Sequence, residues 1–225
     1  MAEYATSLDG IPMPDRIRAL PVCPTRNVPV PWFVVWIDGK PEFRVADADK
    51  RVLAVTEKLC WVCGQKLGAF LSFVIGPMCS VNRISSEPPS HRECAEFSVR
   101  ACPFLSKPHM VRRENNLPED KRHDGRMIAR NPGCAAVWTT KSYKVVSDGA
   151  GGWLVQIGDP TDVTWWAEGR TATRDEVLAS IDSGLPLLRD TFPVTDTAAL
   201  LELGRLATAA MKYLPAAEVA AEVAR

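Results

Sequence analysis

Cys60-Trp61-Val62-Cys63-Gly64 and, 27 residues beyond it, His91-Arg92-Glu93-Cys94 are the two short stretches on which the reading of this chain turns. Two thiols at C-x2-C spacing on a tight turn can reach one metal ion, and the glycine that follows permits the turn. The second pair has H-x2-C spacing, which on a helix puts both side chains on one face, one turn apart. Ser90 reads as the N-cap of that helix, Pro88-Pro89 fixes its entry, and Glu93 stands where a carboxylate completes a capping box. Between the two pairs, Leu71-Ser72-Phe73-Val74-Ile75 reads as a strand and Gly76-Pro77 as a turn. The expected order is therefore knuckle, β-hairpin, and a helix whose first turn carries the last two ligands.

The rest of the cysteine pattern agrees with metal chemistry. There are seven cysteines, five of them between positions 60 and 102, and an odd, clustered set argues against a disulfide framework. Cys79 is the alternative to His91 as fourth ligand. Cys102 would lie about 16 Å along a continuous helix from His91, too far to share the ion. It reads as a small buried apolar residue, as does Cys134. Cys23, in a proline-rich loop, reads as a bystander.

Knuckle, hairpin and helix in this order resemble the treble-clef zinc finger over about 40 residues. The resemblance implies Zn²⁺ held by Cys60, Cys63, His91 and Cys94, with four protein ligands making a closed, structural site. The phrases CWVCG (60–64), GPMCSVNR (76–83) and EPPSHRECAEFSVRACPFL (87–105) also resemble an uncharacterised set of phage and prophage proteins, which implies a small accessory protein. HNH-type nucleases share the treble clef and are the alternative reading. They need a catalytic histidine on the hairpin, and segment 64–87 has none; His109 and His123 fall in a later loop.

The 225 residues carry 27 Lys+Arg and 27 Asp+Glu, a formal net charge of zero that speaks against a generally basic nucleic-acid coat protein or an acidic tail protein. No apolar run reaches the roughly 18 residues that span a bilayer. The first residues show neither the basic nor the apolar part of a signal peptide, so the expected location is the cytoplasm. The C-x2-C pair lacks the βαβ context of a thioredoxin motif, and no P-loop, G-x-G-x-x-G or G-x-S-x-G sequence occurs.

Four segments follow. Residues 1–31 are rich in proline and read as an extended surface arm. Residues 32–104 begin with a hairpin turning at Asp38-Gly39, continue with a short helix over 46–59, and contain the finger. Residues 105–134 read as an irregular basic loop. Its Arg112, Arg113, Lys121, Arg122, Arg126 and Arg130 are candidates for phosphate contact. Residues 135–225 read as an antiparallel β-meander and two helices, the first opened by the capping box Thr173-x-x-Glu176 and ended at Gly184 before Pro186. Six of the seven tryptophans fall in expected strands, and alternation sets Trp165 and Trp166 on opposite sheet faces, one toward solvent. The apolar stripe of the last helix reads as core. The fold class is α+β. The expected function is that of a non-enzymatic zinc-binding module contacting nucleic acid or a protein partner; the alternative is a metal-dependent nuclease.

Overall fold

The computed structural model describes residues 4–107, 110 and 133–217. Its strands are β1 (Val34–Ile37), β2 (Lys40–Ala46), β3 (Leu71–Ile75), β4 (Ile84–Ser85), β5 (Ala135–Thr140), β6 (Tyr143–Ser147), β7 (Trp153–Ile157), β8 (Pro160–Ala167) and β9 (Arg170–Thr171). Its helices are α1 (Asp15–Arg18), α2 (Ala48–Thr56), α3 (Pro77–Asn82), α4 (Arg92–Ala101), α5 (Pro103–Ser106), α6 (Arg174–Arg189) and α7 (Thr197–Ala210). The mixed α+β class with antiparallel sheets is as expected.

Strand order departs from a meander. One sheet runs β3-β5-β8-β9, a second runs β4-β7-β6, and β1-β2 is a separate hairpin. Between β5 and β8 the chain leaves the larger sheet and returns to it, at Thr140–Tyr143 and at Ile157–Pro160. There the Thr140 hydroxyl donates to the Asp159 carbonyl at 2.7 Å, and the Gly158 amide donates to the Ser142 carbonyl at 3.0 Å. Strand β3 pairs with β5 over its whole length, from Leu71↔Thr140 to Ile75↔Ala136. The Cys-rich segment and the C-terminal segment therefore share one sheet. A two-stranded hairpin local to the finger would leave the apolar β3 exposed on one edge and one face. Pairing with β5 buries it. Gly76-Pro77 opens α3 instead of a turn, with Pro77 at the first helical position, where its missing N–H costs nothing.

Both faces of the larger sheet are covered. Leu71, Phe73, Ile75, Ala136, Trp138 and Trp165 pack with α3, α6 and α7 in the main core. On the other face, Ala135, Val137 and Trp166 pack with Ala95 and Val99 of α4. That is why Trp165 and Trp166 are both buried, at 3% and 8% exposure, although they point to opposite sides. On the α4 side, Ser72 and Thr139 satisfy each other through a hydroxyl–hydroxyl hydrogen bond of 2.8 Å.

Helix α6 does not end at Gly184. A Cβ there would lie 2.9 Å from Met78 Cε, so the glycine serves close approach of α3 to α6. Leu185 and Leu188, packed against the core, carry the helix on through Pro186 to Arg189. At its other end the capping box forms. The Glu176 amide reaches Thr173 Oγ1 at 3.3 Å, the Thr173 amide reaches Glu176 Oε2 at 2.8 Å, and Arg170 grips the same carboxylate at 2.6 and 3.0 Å. Those bonds, the Arg170 guanidinium foremost, hold the Glu176 carboxyl at about 2. A depressed carboxyl stabilises the fold above its unfolded value of about 4.3, and that contribution is lost as pH falls toward the folded value. Glu176→Gln should lower stability near neutral pH by about 0.5–1 kcal/mol, the modest figure expected of a solvent-screened pair. Urea midpoints of the two proteins should converge on acidification from about pH 5 toward about pH 2.

Candidate metal centre

The knuckle is a backbone construction before it is a ligand set. The Cys60 amide donates to the Gln65 carbonyl at 2.7 Å, the Gly64 amide to the Cys60 carbonyl at 2.8 Å, and Leu59 pairs with Lys66 across the turn. Gly64 has φ of +73°, and a Cβ there would lie 2.7 Å from Trp32 Cγ. Both the conformation and the space demand glycine. The turn holds Cys60 and Cys63 on one side and exposes their sulfurs to backbone amides. Cys63 N–H and His91 N–H point at Cys60 Sγ at 3.5 and 3.4 Å.

The second pair arrives on α4. Ser90 is not its N-cap. Ser90 forms a two-way backbone pair with Ser72 of β3, at 2.9 and 2.7 Å, and the cap falls to His91, whose side chain caps nothing. Glu93 completes no capping box; its carboxylate meets Arg16 at 2.6 Å. With the sheet edge taking Ser90, the imidazole of His91 is released toward the thiols. Nδ1 lies 3.4 Å from Cys63 Sγ and 4.0 Å from Cys94 Sγ, while Nε2 is 2.9 Å from the Lys66 carbonyl. A carbonyl only accepts, so Nε2 carries the proton and the Nδ1 lone pair faces the sulfurs. An outer hydrogen bond of this kind is what orients a histidine whose other nitrogen binds a metal.

Cys60, Cys63, His91 and Cys94 thus form a group whose four ligand atoms all lie within 4.8 Å of one another. Zn–S and Zn–N bonds of about 2.3 and 2.0 Å at tetrahedral angles place ligand atoms about 3.5–3.8 Å apart, so the donor set fits an ion of that size. Cys60 and Cys94 are fully buried and Cys63 nearly so. Hydrogen bonds from Cys63 and Cys94 hold the Cys60 thiol below its ordinary range. The same hydrogen bonds, made to Cys60 as the acceptor, push the Cys63 and Cys94 thiols up. A cation bound among them would favour ionisation of the second and third thiols as well.

Cys79 is not part of this group. It sits on α3 against the main core, where burial pushes its thiol up to about 11. Burial likewise raises Cys134, to about 11, and Cys102. Cys23 is no bystander. It opens a turn that repeats the knuckle bond for bond: its amide donates to the Val28 carbonyl at 2.9 Å, the Asn27 amide to the Cys23 carbonyl at 2.8 Å, and Val22 pairs with Pro29. Asn27, at φ of 51°, takes the place of Gly64. Arg26 stands where the second cysteine would be, and Cys23 Sγ is 3.4 Å from Thr25 Oγ1. No repeat was legible in the sequence, because backbone bonds leave no fixed residue types behind.

The proline-rich segment is not a surface arm either. Leu8 and Ile17 are buried in one apolar cluster with Cys60, Val62, Cys63, Cys94 and Phe97, and Met13, Leu20 and Val28 pack against it. Prolines forbid regular structure there, but they do not forbid burial. The apolar residues between them pack around Cys60, Cys63 and Cys94. The basic candidates Arg112, Arg113, Lys121, Arg122, Arg126 and Arg130, and the loop histidines His109 and His123, lie outside the described residues.

Compared with known proteins, the chain matches no family model, no curated protein and no solved structure. Among the described residues, no helix is long and apolar enough to cross a membrane.

Gly64→Ala should be among the most damaging single-methyl changes in the chain. A left-handed backbone costs a non-glycine residue about 1–2 kcal/mol, and overpacking against Trp32 about 1–3 kcal/mol more. A loss of at least about 2 kcal/mol by chemical denaturation is the expected outcome.

Proposed function

We propose that this chain is a zinc-stabilised, non-enzymatic binding module of treble-clef-like build, in which a closed Cys3His centre locks the N-terminal segment and α4 onto the knuckle. The observation that carries the reading is the convergence of Cys60, Cys63, His91 and Cys94, with Nδ1 aimed at the sulfurs and Nε2 spent on Lys66. Zinc is favoured over harder cations because three sulfurs and one imidazole suit a borderline-soft ion. Four protein ligands leave no position for a water or substrate, which is the mark of a structural site. The treble-clef likeness is supported by the order knuckle, β3, α4 and by the Ser72–Ser90 pair, a one-rung hairpin immediately before the helix. The nuclease alternative has no support among the described residues. His91, the one histidine there, is engaged on both ring nitrogens. The proposed partner is nucleic acid, reached through the basic residues of segment 105–134; that part rests on sequence alone, as do the likeness to phage accessory proteins and a cytoplasmic location.

Zinc binding to finger peptides is worth on the order of 10 kcal/mol, comparable to the whole stability of a domain. Removing it should therefore dismantle what it holds. Elemental analysis should find about one zinc per chain, lost in Cys60→Ser/Cys63→Ser. Cobalt substitution should give the absorption of a tetrahedral thiolate site. Chelation should open the segment around residues 4–20 to protease, while amides of β5 and β8 stay protected from exchange, because their core does not include the ligands. A metal-free protein, or one whose metal survives the double substitution, would overturn the proposal. Retention on single- or double-stranded DNA that falls steeply with salt would support the nucleic-acid partner; retention indifferent to salt, or none, would count against it.

A further inference from the structure

The four donors of the metal group are not equally sealed. Cys60 and Cys94 show no surface at all, Cys63 keeps 7%, and His91 is half-buried. The bond from His91 Nε2 to the Lys66 carbonyl lies at the surface, and His91 Nδ1 is 3.4 Å from Cys63 Sγ. The stretch after Cys63 is exposed at Gln65, Lys66, Gly68, Ala69 and Phe70. Water therefore comes nearest to the group at the edge where Cys63 and His91 meet, and Cys63 is the sulfur on that edge.

Cys63 also has a sulfur partner close by. Cys60 sits on the same turn, which the Gly64 amide closes onto the Cys60 carbonyl at 2.8 Å, and all the ligand atoms lie within 4.8 Å of one another. A disulfide brings two sulfurs to about 2.05 Å and tolerates the short Cα separation of such a turn. Cys94 is placed differently. It belongs to α4, whose Ala95 and Val99 are packed into the larger sheet, so a linkage to it would pull on a helix. A metal-bound thiol is ionised, and the thiolate is the form that reacts with oxidants. Cys79 and Cys102 show more surface than Cys63, but burial pushes their thiols up, so they stay protonated near neutral pH.

We propose that the Cys3His centre is a peroxide-sensitive switch, in which oxidation links Cys63 to Cys60, the metal is released, and the N-terminal segment loses its hold on the knuckle. The proposal rests on the zinc reading above. In the first step the Cys63 thiolate attacks one oxygen of hydrogen peroxide. An S–O bond forms, the O–O bond breaks, hydroxide leaves, and Cys63 becomes a sulfenic acid. In the second step the Cys60 thiolate attacks that sulfur. The S–S bond forms, the S–O bond breaks, and a second hydroxide leaves. Two electrons pass from the two sulfurs to the peroxide. The linkage removes two of the four donors, which leaves Cys94 and His91 too few to retain the ion. Leu8 and Ile17 pack against Cys60, Cys63 and Cys94, so the segment that carries them is the part that opens.

The test uses the full-length protein, its zinc content measured first by elemental analysis. Millimolar hydrogen peroxide is added, and freed zinc is followed with a chromogenic chelator. Free thiols are then alkylated and tryptic peptides weighed. Cys60 and Cys63 share the peptide 59–66, and Cys94 falls in another. Zinc release should be matched one for one by peptide 59–66 that resists alkylation and is lighter by two hydrogens. Residues 4–20 should become open to protease in step, and dithiothreitol with added zinc should restore both. Cys63→His keeps four donors and, once loaded with zinc, should lose it to peroxide at least tenfold more slowly. Should that variant bind no zinc, the peptide map of the wild-type chain decides by itself. A chain without zinc at the outset overturns the zinc reading. A zinc-loaded chain that keeps its metal under peroxide overturns this proposal alone, as does zinc lost without the Cys60–Cys63 linkage or a linked chain whose N-terminal segment stays protected.

Discussion

Helix α4 is buried on two sides at once, and most of the molecule is arranged around that fact. One side sends Ala95 and Val99 into the face of the β3-β5-β8-β9 sheet; the other sends Cys94 and Phe97 into the cluster that surrounds the knuckle. A ten-residue helix is marginal alone and takes its stability from what it packs against. The sheet therefore fixes where α4 stands, and α4 fixes where Cys94 and His91 stand. The knuckle contributes the other two ligands from backbone bonds of its own. Each half of the site has backbone supports of its own, and their sulfurs and imidazole meet within 4.8 Å.

Such convergence has a cost that local structure does not offset. Three thiols and an imidazole gathered out of water repel as soon as more than one thiol ionises; hydrogen bonds to a lowered Cys60, which push the Cys63 and Cys94 thiols up, keep the group short of that repulsion. A divalent cation reverses its sign. The surrounding apolar wall, made largely by Leu8 and Ile17, then becomes an asset, since a low dielectric strengthens the attraction between ion and thiolate. The N-terminal segment thus has a physical role in the centre although it supplies no ligand.

What the sequence made legible was local. The Asp38-Gly39 turn, the capping box at Thr173, the C-x2-C and H-x2-C pairs and the mixed fold class all depend on residues a few positions apart, and each stands in the structure where the spacing put it. What it hid was pairing at a distance. Strand β3 finds its partner some 60 residues on, across a segment with little apolar periodicity, and that single pairing turns an expected finger hairpin into the edge of a four-stranded sheet. The bridge from Ser72 of β3 takes Ser90 away from its expected cap, and α4 covers Trp166, so that neither Trp165 nor Trp166 faces solvent. Gly184 misled for a related reason: a glycine near a helix end reads as a stop, and only the position of Met78 shows that it is a contact.

The two matching turns, at Cys23 and at Cys60, separate what backbone does from what a metal does. Each closes with an amide of residue i donating to the carbonyl of i+5, an amide of i+4 returning to the carbonyl of i, and a left-handed residue at i+4. One has Arg26 at its fourth position and is held by Val30, Val34 and neighbouring apolar groups; the other has Cys63 and faces α4. The same backbone bonds thus occur where no second thiol stands. C-x2-C spacing on such a turn is necessary for the centre without being enough for it. The discriminating feature is the imidazole of His91, turned by the Lys66 carbonyl so that its lone pair joins the sulfurs. A histidine placed only for packing or for the Lys66 bond would have no reason to complete a four-donor shell with its other nitrogen.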